Sequence, residues 1–318
     1  MGGVLMTQIA ILGSGALGCS LAGHLMDAGH RPMLVARGLH AAVMMTEGLR
    51  LTDDGGRERT YAPDQFTVHP TDGPREMPTN LDIIILSGKT HHISNLLDAV
   101  EGSTTEDSVI IPVCNGLTGA AEVTKRFGIG HLVLGSTTHG AERIAPGHVR
   151  RRGKGRLLLG SVHGEAVDSR IAMLLQIPGL SAEWDPMIRE SSVRKFLLNL
   201  AINPLAAIMG SRNGALRNPE PWACMVAVIE ESLPILRASG HPTPTKADVL
   251  AELATVLDAT ASNRCSMLQD VIRGGPTEIE ALNGMIVRTA TEMGIPAPLN
   301  RTLTMLIQSM SGIALGPD

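Results

Sequence analysis

Aromatic side chains are scarce in this chain: three phenylalanines, two tryptophans and one tyrosine in 318 residues. The one dense basic run, His148-Val-Arg-Arg-Arg-Gly-Lys154, has no aromatic residues interleaved with it and reads as a solvated loop. With a formal net charge of −4, no pull toward nucleic acid or an anionic membrane surface is implied. Cysteine is equally sparse. Cys19, Cys114, Cys224 and Cys265 are widely scattered with no C-x-x-C, which argues against a disulfide framework or a thiolate zinc site and fits a reduced cytoplasm. His91, His92 and His139 lack metal-ligand spacing, so no metal is expected. No uninterrupted apolar run approaches the roughly 20 residues of a membrane span. Met1 to Leu21 is apolar, but it has no basic leading segment and is broken by glycines, so it does not read as a secretory signal. Met1 to Met6 are expected to form a mobile leader. Internal repeats and low-complexity tracts are also missing. The expectation is a cytoplasmic protein, long enough for two domains, with neither nucleic acid nor membrane as partner.

Gln8-Ile-Ala-Ile-Leu12 is a short apolar run of strand type. It is followed at once by Gly13-Ser14-Gly15-Ala16-Leu17-Gly18 and then by a stretch to Gly29 whose apolar residues recur at helical spacing. Strand, G-x-G-x-x-G and helix in that order are the context a dinucleotide fingerprint requires. Gly13 permits the tight turn, Gly15 lets backbone N–H groups approach a pyrophosphate, and Gly18 lets the helix pack closely on the strand.

The next strand, Arg31-Pro-Met-Leu-Val-Ala36, ends where an NAD-binding protein usually carries Asp or Glu for the ribose 2′-hydroxyl. Here Arg37 follows. A guanidinium suits a 2′-phosphate through bidentate charge-assisted hydrogen bonds, which points to NADP(H) rather than NAD(H) as cofactor. A solvated surface arginine is the plain alternative.

Further strands are predicted at Leu81–Leu86, Ser108–Val113, His131–Leu134 and Arg156–Leu159, the earlier ones parallel and the later ones an antiparallel edge. The stretch from Thr52 to Asn80 reads as connection apart from a strand around Phe66 to His69. After Trp184-Asp-Pro186 the strand-like runs give way to long amphipathic helical patterns, broken at residues 210–214, 240–245, 274–276 and 294–298. The fold class expected is α/β: a Rossmann-type doubly wound sheet over residues 1–186, followed by an all-α domain over residues 187–318. In such a sheet the ligand lies at the carboxyl ends of the strands, so the cleft beside them is the default site.

Lys195, Asn199 and Asn203 stand four residues apart in an otherwise apolar helical stretch, and so share one drifting face. Burying an amide without partners costs on the order of 1–3 kcal/mol, so such residues need a reason. Either the asparagines satisfy backbone groups freed by Pro204 while the lysine reaches solvent, or a polar ligand meets this face. Lys89, Asn115 with Gly116, and Thr137-Thr-His139 fall at or after predicted strand ends, where cofactor-lining residues sit, although a turn or a solvated loop would also explain them. Glu278 and Glu280 open a helix after Gly274-Gly-Pro276 and have a structural explanation there, since carboxylates complement exposed N–H groups.

Taken together, these pieces resemble the ketopantoate reductase (2-dehydropantoate 2-reductase) family over nearly the whole chain. The match runs through the glycine loop, Arg37, Lys89, Asn115-Gly116, Thr137-Thr-His139 with Ala141, Lys195-x-x-x-Asn199-x-x-x-Asn203-Pro-Leu205, Asn213-Gly214, Ser266-Met-Leu-Gln-Asp270, Thr277-Glu-Ile279 and Asn283-Gly284. The resemblance implies reduction of ketopantoate to pantoate by NADPH on the route to pantothenate and coenzyme A, with Lys195 as general acid. That role is chemically sensible, because an ammonium stabilises the charge developing on a ketone oxygen and supplies its proton. By the same resemblance Glu278 joins Lys195 at the reacting end. The glycine loop, Arg37, Lys89, Asn115 and Ala141 bind cofactor, and Asn199, Asn203, Asn213 and Ser266 bind a small 2-keto acid. Val193-Arg194, Gly88 and the Gly-Gly-Pro break depart from the family pattern. Another 2-keto acid therefore stays open as substrate, as does a non-catalytic NADP-binding regulatory protein. The apolar helical half offers a surface for a homodimer.

Overall fold

The computed structural model describes residues 7–72, 77–162 and 166–310, so the Met1–Met6 leader lies outside the described residues. These residues divide into two compact units. One takes in the chain up to Cys114 together with Thr118–Ile188, and the other takes in Asn115–Leu117 and the chain from Arg189 onward.

In chain order the first unit contains β1 (Ile9–Leu12), α1 (Ala16–Asp27), β2 (Met33–Ala36), α2 (Gly38–Thr46), β3 (Leu49–Thr52), β4 (Glu58–Tyr61), β5 (Thr67–Pro70), β6 (Leu81–Leu86), α3 (Ile93–Asp98), β7 (Thr104–Pro112), α4 (Thr118–Phe127), β8 (Leu134–Thr137), β9 (Gly140–Ala145), β10 (His148–Arg152), β11 (Leu157–Gly160) and β12 (Ala182–Trp184). β1, β2 and the apolar stretch of β6 are buried on both faces, as expected of parallel strands covered by helices, which is why they read as unbroken apolar runs rather than alternating. The main sheet is parallel, in the order β5-β2-β1-β6-β7. Its central strand β1 pairs Ala10 with Met33 on one side and with Ile84 on the other. The winding reverses between β1 and β6, which makes their carboxyl ends the topological switch point. Gly13 and Ser87 follow those ends directly.

Several strand expectations need correction. The later strands do not extend the parallel sheet. They form two smaller sheets of their own, ordered β4-β3-β10-β9 and β12-β11-β8. The expected strand at His131–Leu134 begins only at Leu134, leaving Leu132 as a lone parallel bridge to Ile110. The stretch after Thr52 is more than connection, because Asp53-Asp-Gly-Gly56 turns the chain into β4, antiparallel to β3. Most of the basic run, His148–Arg152, is strand β10, paired with β9 and β3. Val149 enters the core there, and Arg151 is drawn in by donating to the Ser20 carbonyl at 3.1 Å.

The second unit holds α5 (Ile188–Ile208), α6 (Pro219–Ala238), α7 (Lys246–Ala259), α8 (Ser266–Ile272), α9 (Asn283–Met293) and α10 (Pro298–Met310), with Ile188 itself in the first unit. They close on one apolar cluster that includes Phe196, Leu200, Ile229, Leu253, Leu268 and Ile286. Pro204 lies inside α5, so the Leu200 carbonyl, four residues back, loses its helical donor. The side-chain amide of Asn283, fully buried at the start of α9, donates to that oxygen at 3.1 Å and to Asn300 Oδ1 at 2.9 Å. Asn300 in turn donates to Glu231 Oε1 at 2.8 Å and Ser232 Oγ at 3.0 Å. The proline is therefore compensated from α9, not by Asn199 or Asn203 on its own helix.

Candidate active site

The glycine loop is shaped by crowding on two of its glycines and by open space at the third. Gly13 has φ +81°, and an added Cβ would lie 2.4 Å from the Gly88 Cα. At Gly18 a Cβ would come within 2.6 Å of Ser87 Oγ and 2.9 Å of the Gly13 carbonyl. At Gly15 it would meet only the Gly13 carbonyl, at 4.0 Å. The loop thus packs tightly on β1 and the β6 end while leaving room on its outer side. α1 starts with no side-chain cap, so the first-turn N–H groups of Ala16, Leu17 and Gly18 have no intrahelical acceptor. Open space beside uncapped N–H groups and the positive end of a helix dipole fits the pyrophosphate of a dinucleotide. Ser14 is turned inward: its Oγ donates to the Ile11 carbonyl at 3.1 Å and its N–H to the Val35 carbonyl at 2.8 Å.

Arg37 directly follows β2 and is exposed. Its Nη2 donates to His92 Nε2 at 3.0 Å. Lys89 opens the helical turn Thr90–His92 beyond β6 and is half-buried. Partial burial, His91, Arg37 and Lys89 together hold the His92 pKa below its ordinary value, which keeps the ring neutral and able to accept from the guanidinium. The switch point therefore carries a cluster of basic side chains. Ala141 lies on β9 opposite Arg151 of β10, in the first unit's apolar cluster beside α1. Thr137 and His139 serve the backbone: Thr137 Oγ1 donates to the Arg156 carbonyl at 3.0 Å, and His139 Nε2 lies 2.8 Å from the Leu180 carbonyl.

In the second unit, Lys195 and Asn199 are half-buried on successive turns of α5, with Asn203 only 6% exposed one turn further. The Asn203 side-chain amide makes no hydrogen bond to the described residues. Asn115 Nδ2 donates to Glu278 Oε2 at 2.9 Å, and Asn115 Oδ1 accepts from Asn199 Nδ2 at 3.5 Å. Gly116, at φ +86°, seats the chain against the Ala281 carbonyl, which would lie 3.0 Å from any Cβ there. A polar chain thus runs from Glu278 through Asn115 to the lysine-bearing face of α5. Ser266, exposed, opens α8 next to Cys265, whose Sγ donates to the Asn203 carbonyl at 3.6 Å. Asn213, before α6, is buried. Its N–H donates to the Asn263 carbonyl at 3.0 Å and its Nδ2 to Thr260 Oγ1 at 2.9 Å, tying down the segment that leads to Ser266.

Two family models match the chain: "Ketopantoate reductase PanE/ApbA" over residues 9–164 and "Ketopantoate reductase PanE/ApbA C terminal" over residues 187–311. The chain belongs to the ketopantoate reductase family. Among curated relatives, the 2-dehydropantoate 2-reductase of Archaeoglobus fulgidus is 32% identical over 95% of this chain and 97% of its own length. That of Vibrio cholerae is 28% identical over 95% and 97%. Among solved structures, a PanE/ApbA family ketopantoate reductase from Ralstonia eutropha JMP134 superposes with a TM-score of 0.84 at 27% identity, covering 96% of this chain and 98% of that one. D-mandelate dehydrogenase, solved with NADH and anilino(oxo)acetate, shares the fold with a TM-score of 0.86 at 22% identity, covering 96% and 98%. As a member of the ketopantoate reductase family the protein is an oxidoreductase acting on a small molecule. Among the described residues, no helix is long and apolar enough to cross a membrane.

Several supporting residues of this ketopantoate reductase family member escape a sequence reading. Ser87 donates to the Gly13 carbonyl at 3.1 Å, His92 holds Arg37, and His40 contacts the glycine loop from α2. Only the placement of Ser87 immediately after a buried strand gave any hint. The partners of His40 and His92 depend on loop packing that no local spacing encodes.

Proposed function

We propose that the protein reduces 2-dehydropantoate to pantoate with NADPH, a step toward pantothenate and coenzyme A. The observation that carries this reading is the Glu278–Asn115–Asn199 hydrogen-bonded chain on the face of α5 that bears Lys195. The first unit is assigned the dinucleotide, with Gly13, Ser14, Gly15, Ala16, Leu17 and Gly18 forming the phosphate turn and Arg37 and Lys89 supplying positive charge. Asn115 and Ala141 are assigned to the nicotinamide end. When bound, NADPH supplies the hydride that reduces the keto carbon.

The remaining work falls to the protein's own side chains. Lys195 Nζ neutralises charge developing on the ketone oxygen and donates the proton that completes the alcohol. Glu278 balances the lysine's charge and orients the Asn115 amide. Asn115 passes that orientation to Asn199. Asn203, whose buried side-chain amide makes no hydrogen bond to the described residues, supplies that amide for the carboxylate or hydroxyl of the keto acid, and Ser266 a hydroxyl. Neutral donors of this kind hold a carboxylate without cancelling the charge on the general acid. Arg37 is the basis for choosing NADPH over NADH, since its guanidinium follows β2 where the adenosine ribose of a dinucleotide binds in this fold class.

A panel of 2-keto acids with NADPH, followed at 340 nm, tests the substrate. The proposal predicts the highest kcat/KM for 2-dehydropantoate. Comparable kcat/KM across several unrelated keto acids would remove that assignment while leaving the reductase intact.

A further inference from the structure

His40 sits in α2, 6% exposed, behind the glycine loop. Its Nδ1 accepts the Gly147 N–H at 2.9 Å, and an N–H donor can pair only with an unprotonated ring nitrogen. The other nitrogen therefore carries the proton. Nε2–H donates to the Ser14 carbonyl, 3.0 Å away. Burial, first, and the nearby Arg143 guanidinium hold the His40 pKa below its ordinary value, so the ring stays in this neutral form. The Ser14 oxygen receives a second, weaker donor from Cys19, whose Sγ lies 3.3 Å from it and whose thiol pKa burial raises to about 12.

We propose that His40 is a positioning residue for the dinucleotide: it holds the Ser14 carbonyl turned into the protein, so that the loop offers the pyrophosphate N–H groups and no oxygen. The inference rests on the reading of this loop as a dinucleotide site. The loop presents a helix start whose N–H groups attract an anion, and a carbonyl rotated outward among them would repel it. The Ser14–Gly15 peptide is able to turn, because its rotation is taken up at φ of Gly15, where a glycine accepts either sign. The Ser14 side chain is committed to the Ile11 carbonyl and its N–H to the Val35 carbonyl. Fixing its carbonyl therefore falls to His40 and, more weakly, to Cys19. Through Gly147, in the turn between β9 and β10, His40 also ties the loop to the second sheet of the same unit.

The test is NADPH affinity, read by protein-bound NADPH fluorescence, in wild type, His40→Leu and His40→Gln, with circular dichroism to confirm folding. Leucine keeps the buried volume but cannot donate, and glutamine can donate to Ser14 while accepting from Gly147. The expected result is a rise in Kd for NADPH of about tenfold in His40→Leu, recovered to within about threefold in His40→Gln. At saturating NADPH, kcat is expected to be nearly unchanged in both, since the chemistry lies elsewhere. If leucine prevents folding, His40→Met replaces it with the same expectation. Unchanged affinity in a folded apolar variant would overturn the inference, as would a glutamine variant no better than leucine. Wild-type protein that fails to bind NADPH would instead remove the reading of the loop itself, and the inference with it.

Discussion

Arg37 and His24 give the sharpest residue-scale consequences of this structure. Arg37 is exposed and held by a neutral histidine, so its guanidinium keeps donors for a phosphate. Arg37→Ala is expected to raise KM for NADPH about tenfold with little change for NADH, measured as paired initial rates. An equal effect on both cofactors would mean the arginine does not read the 2′-phosphate. His24 is packed near Arg151 and His139, and burial together with those two neighbours lowers its pKa from 6.5 to about 3. Above pH 6.5 the ring is neutral in both folded and unfolded chains and adds no pH dependence. As pH falls from 6.5 toward about 3, the unfolded chain binds a proton that the folded one refuses, so stability declines across that window. His24→Gln should flatten this part of the curve of thermal midpoint against pH. An identical acid slope in the variant would show that His24 is not among the groups responsible.

At the scale of elements, the proline in α5 is the instructive case. Pro204 leaves the Leu200 carbonyl without a helical donor, and Asn283 supplies one from α9 while also bonding Asn300. Asn283→Leu strands both acceptors in the core and is expected to cost about 2–4 kcal/mol in urea unfolding. In a Pro204→Ala background the helix again provides an N–H for Leu200, so the same substitution should cost about 1 kcal/mol less. Equal costs in both backgrounds would show that the Asn283–Leu200 bond carries no weight. The buried parallel strands and the breaks between the C-terminal helices were legible because their signals are local: unbroken apolar runs, and Gly or Pro at the ends. β3 with β4 and β9 with β10 were not. Their alternation is diluted by charged residues such as Arg57, Glu58, Arg59 and Arg150 to Arg152 on exposed or half-exposed faces, so Asp53-Asp-Gly-Gly56 and Pro146-Gly147 were the only clear marks of those hairpins.

At the scale of the whole molecule, the family and the glycine loop were readable because each is a short ordered motif with the right flanks. The relations among the proposed catalytic residues were less so. Asn115 follows β7 of the first unit, yet it clusters with the second and bonds Glu278, 163 positions away. Spacing cannot express a contact of that range, although the fourfold spacing of Lys195, Asn199 and Asn203 correctly placed them on one face of a helix. The same limit hid the Asn283 network, since a sequence shows that a proline removes a donor but not which distant residue replaces it. The division of labour proposed for the two units makes one clear demand: cofactor affinity and catalysis should respond to different residues. The most direct measurement is a single turnover with excess enzyme, NADPH and 2-dehydropantoate at 340 nm, in wild type and Lys195→Ala, with NADPH affinity determined in parallel. The account predicts that the alanine variant binds NADPH as wild type does while its turnover falls by about 10² to 10⁴-fold. A folded variant that oxidises NADPH at the wild-type rate would contradict Lys195 as general acid and the proposed mechanism with it.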